Sequence, residues 1–113
     1  MKVLLLENID NYAITYFTNL GYSIDVYKTS LSKEKLLEII QDYNIVGIRS
    51  KTQIDKDIID KAKSLLVIGC FCIGTNQVDL EYCSKKGINV INSPFMNTRS
   101  VAELVISHII NLS

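Results

Sequence analysis

Two arginines occur in this chain of 113 residues, and one of them, Arg49, opens the run Arg49-Ser50-Lys51-Thr52. Two cations and two hydroxyls in four positions suit an anion. A guanidinium offers a planar fork that matches a carboxylate or a phosphate, and Lys51 adds a second positive charge without that fork. A second run, GCFCIGTNQVD at 69–79, has a glycine at its start and another, Gly74, near its middle. Glycine lets the backbone approach a ligand closely. The amides of such a loop could form an anion-binding concavity. Gly69 and Gly74 have P-loop spacing, but Thr75 stands where a P-loop needs its lysine, so nucleotide binding does not follow.

Several other chemistries fail on inspection. His108 is the single histidine, which excludes a His-rich metal site. Cys70-Phe71-Cys72 is C-x-C, neither the redox C-x-x-C nor half of a usual zinc site. The three cysteines are expected to be reduced thiols in a cytoplasmic protein, acting as small buried apolar residues. No G-x-G-x-x-G occurs, so a Rossmann-type dinucleotide site is not expected in this sequence. Twelve basic residues offset twelve acidic ones. Neither a nucleic-acid grip nor a polybasic membrane anchor fits that balance. The apolar stretches at 3–6 and 65–68 are far short of a membrane span, and Glu7 interrupts the start too early for a secretory signal.

The elements that must position these residues follow from periodicity. Hydrophobic residues make up 48% of the chain, enough for one globular core. Short apolar runs at 3–6, 45–48 and 66–68 predict buried strands, 22–27 alternates like an edge strand, and 88–91 is a last short strand. Ile9, Tyr12, Ala13, Tyr16, Phe17 and Leu20 share one helical face that Gly21 closes. Ser32, Asp55 and Asp79 read as N-caps of three further helices, with Leu31/Leu36 and Ile54/Ile59 as hydrophobic staples. Ser100-x-x-Glu103 has capping-box spacing and predicts a helix from there to the end. The alternation predicts an α/β fold: a five-stranded parallel sheet with helices on both faces, in the flavodoxin-like order 2-1-3-4-5. Ligands of such sheets sit at the carboxyl ends of the strands, where the order reverses. The residues to examine are therefore Glu7-Asn8, the segment after Ile48 and the loop after Ile68.

GIRSKT at 47–52, GCFCIGTNQVDL at 69–80 and NSPFMNTRSVAEL at 92–104 resemble, in order, the bacterial phosphoglycerate dehydrogenases. The last segment is shared more broadly by the D-isomer-specific 2-hydroxyacid dehydrogenases. The resemblance implies that residues 1–113 are the N-terminal part of a flavodoxin-like substrate-binding domain. It implies that 98–113 form the helix leading to a nucleotide-binding domain. The family oxidises 3-phosphoglycerate to 3-phosphohydroxypyruvate with NAD, at the start of L-serine biosynthesis. By resemblance, Arg49, Ser50 and Lys51 bind substrate, the amides around Ile73 and Gly74 receive its carboxylate beside the nicotinamide, and Asn97 lies near the cleft. Ile73 is then also the cofactor contact. The family's catalytic histidine, glutamate and arginine lie in the nucleotide-binding domain, so no catalytic residue is expected here and the chain alone is expected to be inactive.

Val101, Leu104, Val105, Ile106, Ile109, Ile110 and Leu112 leave the last helix little polar face. Such a helix expects burial on several sides, and an uncovered part would drive self-association or homo-oligomer formation. His108 is expected to serve packing in that helix. The alternative to an enzyme part is a stand-alone module that binds a phosphorylated metabolite, or a partner protein, without chemistry.

Overall fold

The computed structural model describes residues 1–92 and 98–111. Its strands are β1 (Lys2–Leu5), β2 (Ser23–Val26), β3 (Ile45–Ile48), β4 (Val67–Cys70) and β5 (Asn89–Asn92). They form one parallel sheet in the order β2-β1-β3-β4-β5. The helices are α1 (Asn11–Asn19), α2 (Lys33–Ile39), α3 (Lys56–Lys61), α4 (Leu80–Lys85) and α5 (Thr98–Asn111). The sheet order is the one that strand–helix alternation predicts.

Alternate residues of each central strand face opposite layers. Val3 and Leu5 pack with Ala13 and Phe17 of α1 and with Val101, Val105 and Ile109 of α5. Leu4 and Leu6 pack with Leu36 of α2, Ile58 and Ile59 of α3 and Cys83 of α4. Burying each such leucine or isoleucine contributes about 2 kcal/mol, and this two-faced burial is what makes the strand sequences almost wholly apolar.

The caps stand where their residue types place them. Ser32 Oγ accepts from Lys35 N (3.2 Å), Asp55 Oδ1 from Ile58 N (3.2 Å) and Asp79 Oδ1 from Tyr82 N (3.0 Å). Asp10 also caps, accepting from Tyr12 N at 2.8 Å, so α1 begins at Asn11 rather than at Ile9. Lys33 Nζ bridges Asp55 and Asp57 (2.9 and 2.8 Å), tying the start of α2 to α3.

Two expectations need correction. Gly69 lies inside β4, not in the loop, because β4 extends to Cys70 through pairing of Gly47 with Gly69 and of Ile48 with Cys70. Helix α5 starts at Thr98, so Ser100 sits within its first turn instead of capping it. Glu103 reaches Arg99 Nε at 2.9 Å one turn back.

The last helix is better covered than its composition suggests. The sheet and α1 together bury Val101, Ala102, Val105, Ile106 and Ile109, leaving Leu104 and Ile110 exposed at 48% and 65%. Leu112 lies outside the described residues. His108 Nδ1 meets Asn89 Nδ2 at 3.0 Å, joining α5 to β5. All three cysteines are buried and free. Burial pushes the Cys70 thiol up to about 12 and the Cys83 thiol up to about 11.

Candidate functional site

Strands β1 and β3 are neighbours, but the chain leaves β1 for the α1 face and β3 for the α3 face. A crevice opens between the two departing segments. Glu7 stands at its base. Glu7 and Asn8 both adopt left-handed backbone, with φ of 68° and 56°. Non-glycine residues hold that conformation only when the surroundings enforce it, at about 1–3 kcal/mol each. Here the Glu7 N–H donates to Thr29 O (3.1 Å) and the Asn8 N–H to Tyr27 O (3.2 Å).

That turn aims the Glu7 side chain under the loop after β3. Glu7 is only 8% exposed. It accepts from the amides of Arg49 (2.8 Å), Lys51 (2.9 Å) and Thr52 (3.1 Å). Burial pushes its pKa up, but the Thr52 side chain and the Lys51, Arg49 and Thr52 amides outweigh it, and the pKa lies below its ordinary value. The Thr52 hydroxyl is buried beside this carboxylate, and among the described residues it has no partner of full hydrogen-bond geometry. The loop amides are thus taken up from below, and the Arg49-Ser50-Lys51 side chains, all exposed, remain for a ligand.

Gln77, also 8% exposed, holds the same loop from the other side. Its Nε2 donates to Arg49 O at 2.8 Å and to Cys72 Sγ at 3.2 Å. Cys72 Sγ in turn donates to Gly74 O at 3.1 Å. Asn92 Nδ2 donates to Ile73 O at 2.7 Å. The loop at 71–78 is therefore fastened by its carbonyls and by Cys72. Among the described residues, the amides of Ile73 and Gly74 donate to no acceptor. Gly74 has open space where a Cβ would be, and Ile73 is 62% exposed.

Gly47 and Gly69 have a packing role. A Cβ on Gly47 would stand 2.9 Å from Phe71 Cε1 and 2.7 Å from Leu5 Cδ2, and one on Gly69 would stand 3.2 Å from Phe71 Cε1. The paired glycines make room for the Phe71 ring, which anchors the start of the loop on the sheet. Gly69 therefore serves the ring and not a ligand.

Arg49 and Ser50 line one groove of about 470 Å³ together with Ile73, Gly74, Cys72 and Gln77. This joins the two anion-suited runs at one place. On the other flank of Arg49, a groove of about 340 Å³ is lined by Lys51, Lys28, Ser30 and Glu7. Lys51 is thus separated from Ile73 and Gly74 but shares Arg49 and Ser50 with them. Asn97 lies outside the described residues. The sequence marks Glu7-Asn8 for the crevice without a role and gives Gln77 and Lys28 none. A lone carboxylate just after a buried strand was the available signal for Glu7. Gln77 and Lys28 carried none, because their relevance arises only from pairing distant segments.

The model of a family described as "D-isomer specific 2-hydroxyacid dehydrogenase, catalytic domain" matches residues 3–107. The chain is 57% identical, over its whole length, to D-3-phosphoglycerate dehydrogenase 1 of Saccharomyces cerevisiae, covering 24% of that protein. It is 48% identical over 99% of its length to D-3-phosphoglycerate dehydrogenase of Escherichia coli, covering 28%. Its relatives are therefore eukaryotic as well as bacterial, and the chain spans about a quarter of the length of these two. Among solved structures, the NAD+-bound 3-phosphoglycerate dehydrogenase of Entamoeba histolytica superimposes with a TM-score of 0.74 at 28% identity, over 95% of this chain and 37% of that one. Sheet order, crevice and sequence agree, and the chain belongs to the D-isomer specific 2-hydroxyacid dehydrogenase family.

Proposed function

We propose that this chain is the substrate-binding part of an enzyme that oxidises 3-phosphoglycerate to 3-phosphohydroxypyruvate with NAD, in L-serine biosynthesis. Residues 1–113 are then the N-terminal part of the substrate-binding domain, and 98–113 lead toward a nucleotide-binding domain. One observation carries the reading: of the three grooves that Arg49 lines, one is edged by the bare Ile73 and Gly74 amides and another by Lys28 and Lys51. A three-carbon acid with a carboxylate at one end and a phosphate at the other suits such a pair. The amides and Arg49 take the carboxylate, while Lys28, Lys51 and the guanidinium take the phosphate. Ser50, common to both grooves, is placed to bond the middle of the ligand.

NAD, when bound, supplies the acceptor for the hydride. This chain fits only its nicotinamide edge, through the exposed Ile73 side chain. The described residues offer no base at the grooves. The Glu7 carboxylate is occupied by three amides with its pKa lowered, and His108 bonds Asn89 and lines neither groove. The proton from the substrate hydroxyl must then go to a group outside these residues, which is why the chain alone is inactive. Incubated with NAD and 3-phosphoglycerate, the purified chain is expected to form no NADH, and turnover would contradict the assignment. The enzyme is cytoplasmic in this reading, with its three thiols reduced. No described helix is long and apolar enough to cross a membrane. Copies of the chain associate through Leu104 and Ile110 of α5.

A further inference from the structure

Among the described residues, the buried polar or charged ones are Glu7, Thr52 and Gln77; Thr52 lies in the loop that carries Arg49, and the side chains of Glu7 and Gln77 bond that loop's backbone. A buried polar group is costly unless it is bonded, so such a cluster is placed for what it holds. Glu7 and Gln77 together hold that loop's backbone, and they meet at Arg49. The Arg49 N–H donates to Glu7 Oε2 at 2.8 Å, and the Arg49 carbonyl accepts from Gln77 Nε2 at 2.8 Å. Glu7 follows β1 and Gln77 lies in the loop after β4, so the two clasps come from the strands on either side of β3. Gln77 also bonds Cys72 Sγ, which bonds Gly74 O, so the clasp continues into the loop whose amides are bare.

We infer that Glu7 and Gln77 are positioning residues that fix the Arg49 guanidinium relative to the Ile73 and Gly74 amides. They thereby set the separation at which the site accepts two negative groups of one small acid. This rests on the proposed anion site and adds a specificity device to it. Both residues border the grooves, but their polar atoms are turned to the loop. The Glu7 carboxylate faces the loop amides, and the Gln77 amide nitrogen is committed to Arg49 O and Cys72 Sγ. With the clasp opened, Arg49 can still meet a single anion, but no longer at a set distance from the second subsite. A ligand that bridges both subsites loses most, and one that needs only a single subsite loses little.

The test is a mutant cycle on the whole chain, read by calorimetry with 3-phosphoglycerate and with inorganic phosphate. Gln77→Met keeps length and volume but removes the donor. It is expected to weaken 3-phosphoglycerate about tenfold, the scale of one buried hydrogen bond, and to weaken phosphate no more than about twofold. In an Arg49→Ala background Gln77→Met should then change nothing further, because its effect runs through Arg49. A general loss of structure would instead lower both ligands alike and add to Arg49→Ala. Glu7→Gln gives a second arm with the same pattern, and thermal melts of each variant confirm that the binding sample is folded. If the unmodified chain bound 3-phosphoglycerate no better than phosphate, the site itself would be wrong. If it discriminated and Gln77→Met and Glu7→Gln discriminated equally well, the site would stand and the clasp would be refuted.

Discussion

Glu7 joins stability to acidity. Its folded pKa lies below its ordinary value, so the stabilisation is fully present above the unfolded pKa and is lost as pH falls through the folded one. Thermal melts recorded from roughly pH 7 down to roughly pH 3 should show an acid limb that Glu7→Gln flattens. The same substitution should lower stability at neutral pH by about 1–3 kcal/mol, since it leaves a buried acceptor replaced in part by a donor facing amides. An unaltered acid limb would contradict the role given to this carboxylate. At this scale the site was half legible. Arg49, Ser50 and Gly74 are marked by residue type and glycine placement, Ile73 by the family resemblance, and the fold brings them to one groove. Glu7 is marked only by its place after a buried strand, and the roles of Glu7 and Gln77 stay hidden because Arg49 lies 42 and 28 positions away and only strand order brings them together.

Elements were more legible than residues, because burial on both sheet faces writes a period into the chain that loops do not share. The caps at Ser32, Asp55 and Asp79 have side chains that satisfy otherwise orphaned amides, so residue type alone locates them. Ser100 misled because capping-box spacing is satisfied equally by a position inside a turn, where Glu103 pairs with Arg99 instead. Strand β4 was drawn too short because glycine weakens a strand pattern. Gly69 belongs to the strand for a tertiary reason, the Phe71 ring above it. That reason is testable. Gly47→Ala sets a methyl 2.7 Å from Leu5 Cδ2 and 2.9 Å from Phe71 Cε1, and it should destabilise the chain by about 1–3 kcal/mol in urea melts. A neutral result would mean that the ring is free to move and does not anchor the loop.

For the whole molecule, sheet order decides where chemistry can occur. Reversal of strand order between β1 and β3 opens the crevice, and both anion-suited runs leave the sheet at that end. Periodicity sufficed to reach that order, whereas composition overstated how much of α5 needs an outside partner. Its own sheet and α1 cover five apolar side chains, and only Leu104 and Ile110 among the described ones stay largely exposed. Association through that face should appear in sedimentation as a mass that rises with concentration and falls back in Ile110→Lys. A mass that holds at the monomer value throughout would count against it. The central claim is that two adjoining grooves receive the two anionic ends of one small acid, with Arg49 between them. A titration of 3-phosphoglycerate followed by amide resonances of the isotope-labelled chain tests it most directly. Shifts should concentrate at Lys28, Arg49, Ser50, Lys51, Ile73 and Gly74 and need a far higher ligand concentration in Arg49→Ala, whereas shifts confined to other surfaces, or persisting unchanged without the guanidinium, would contradict it.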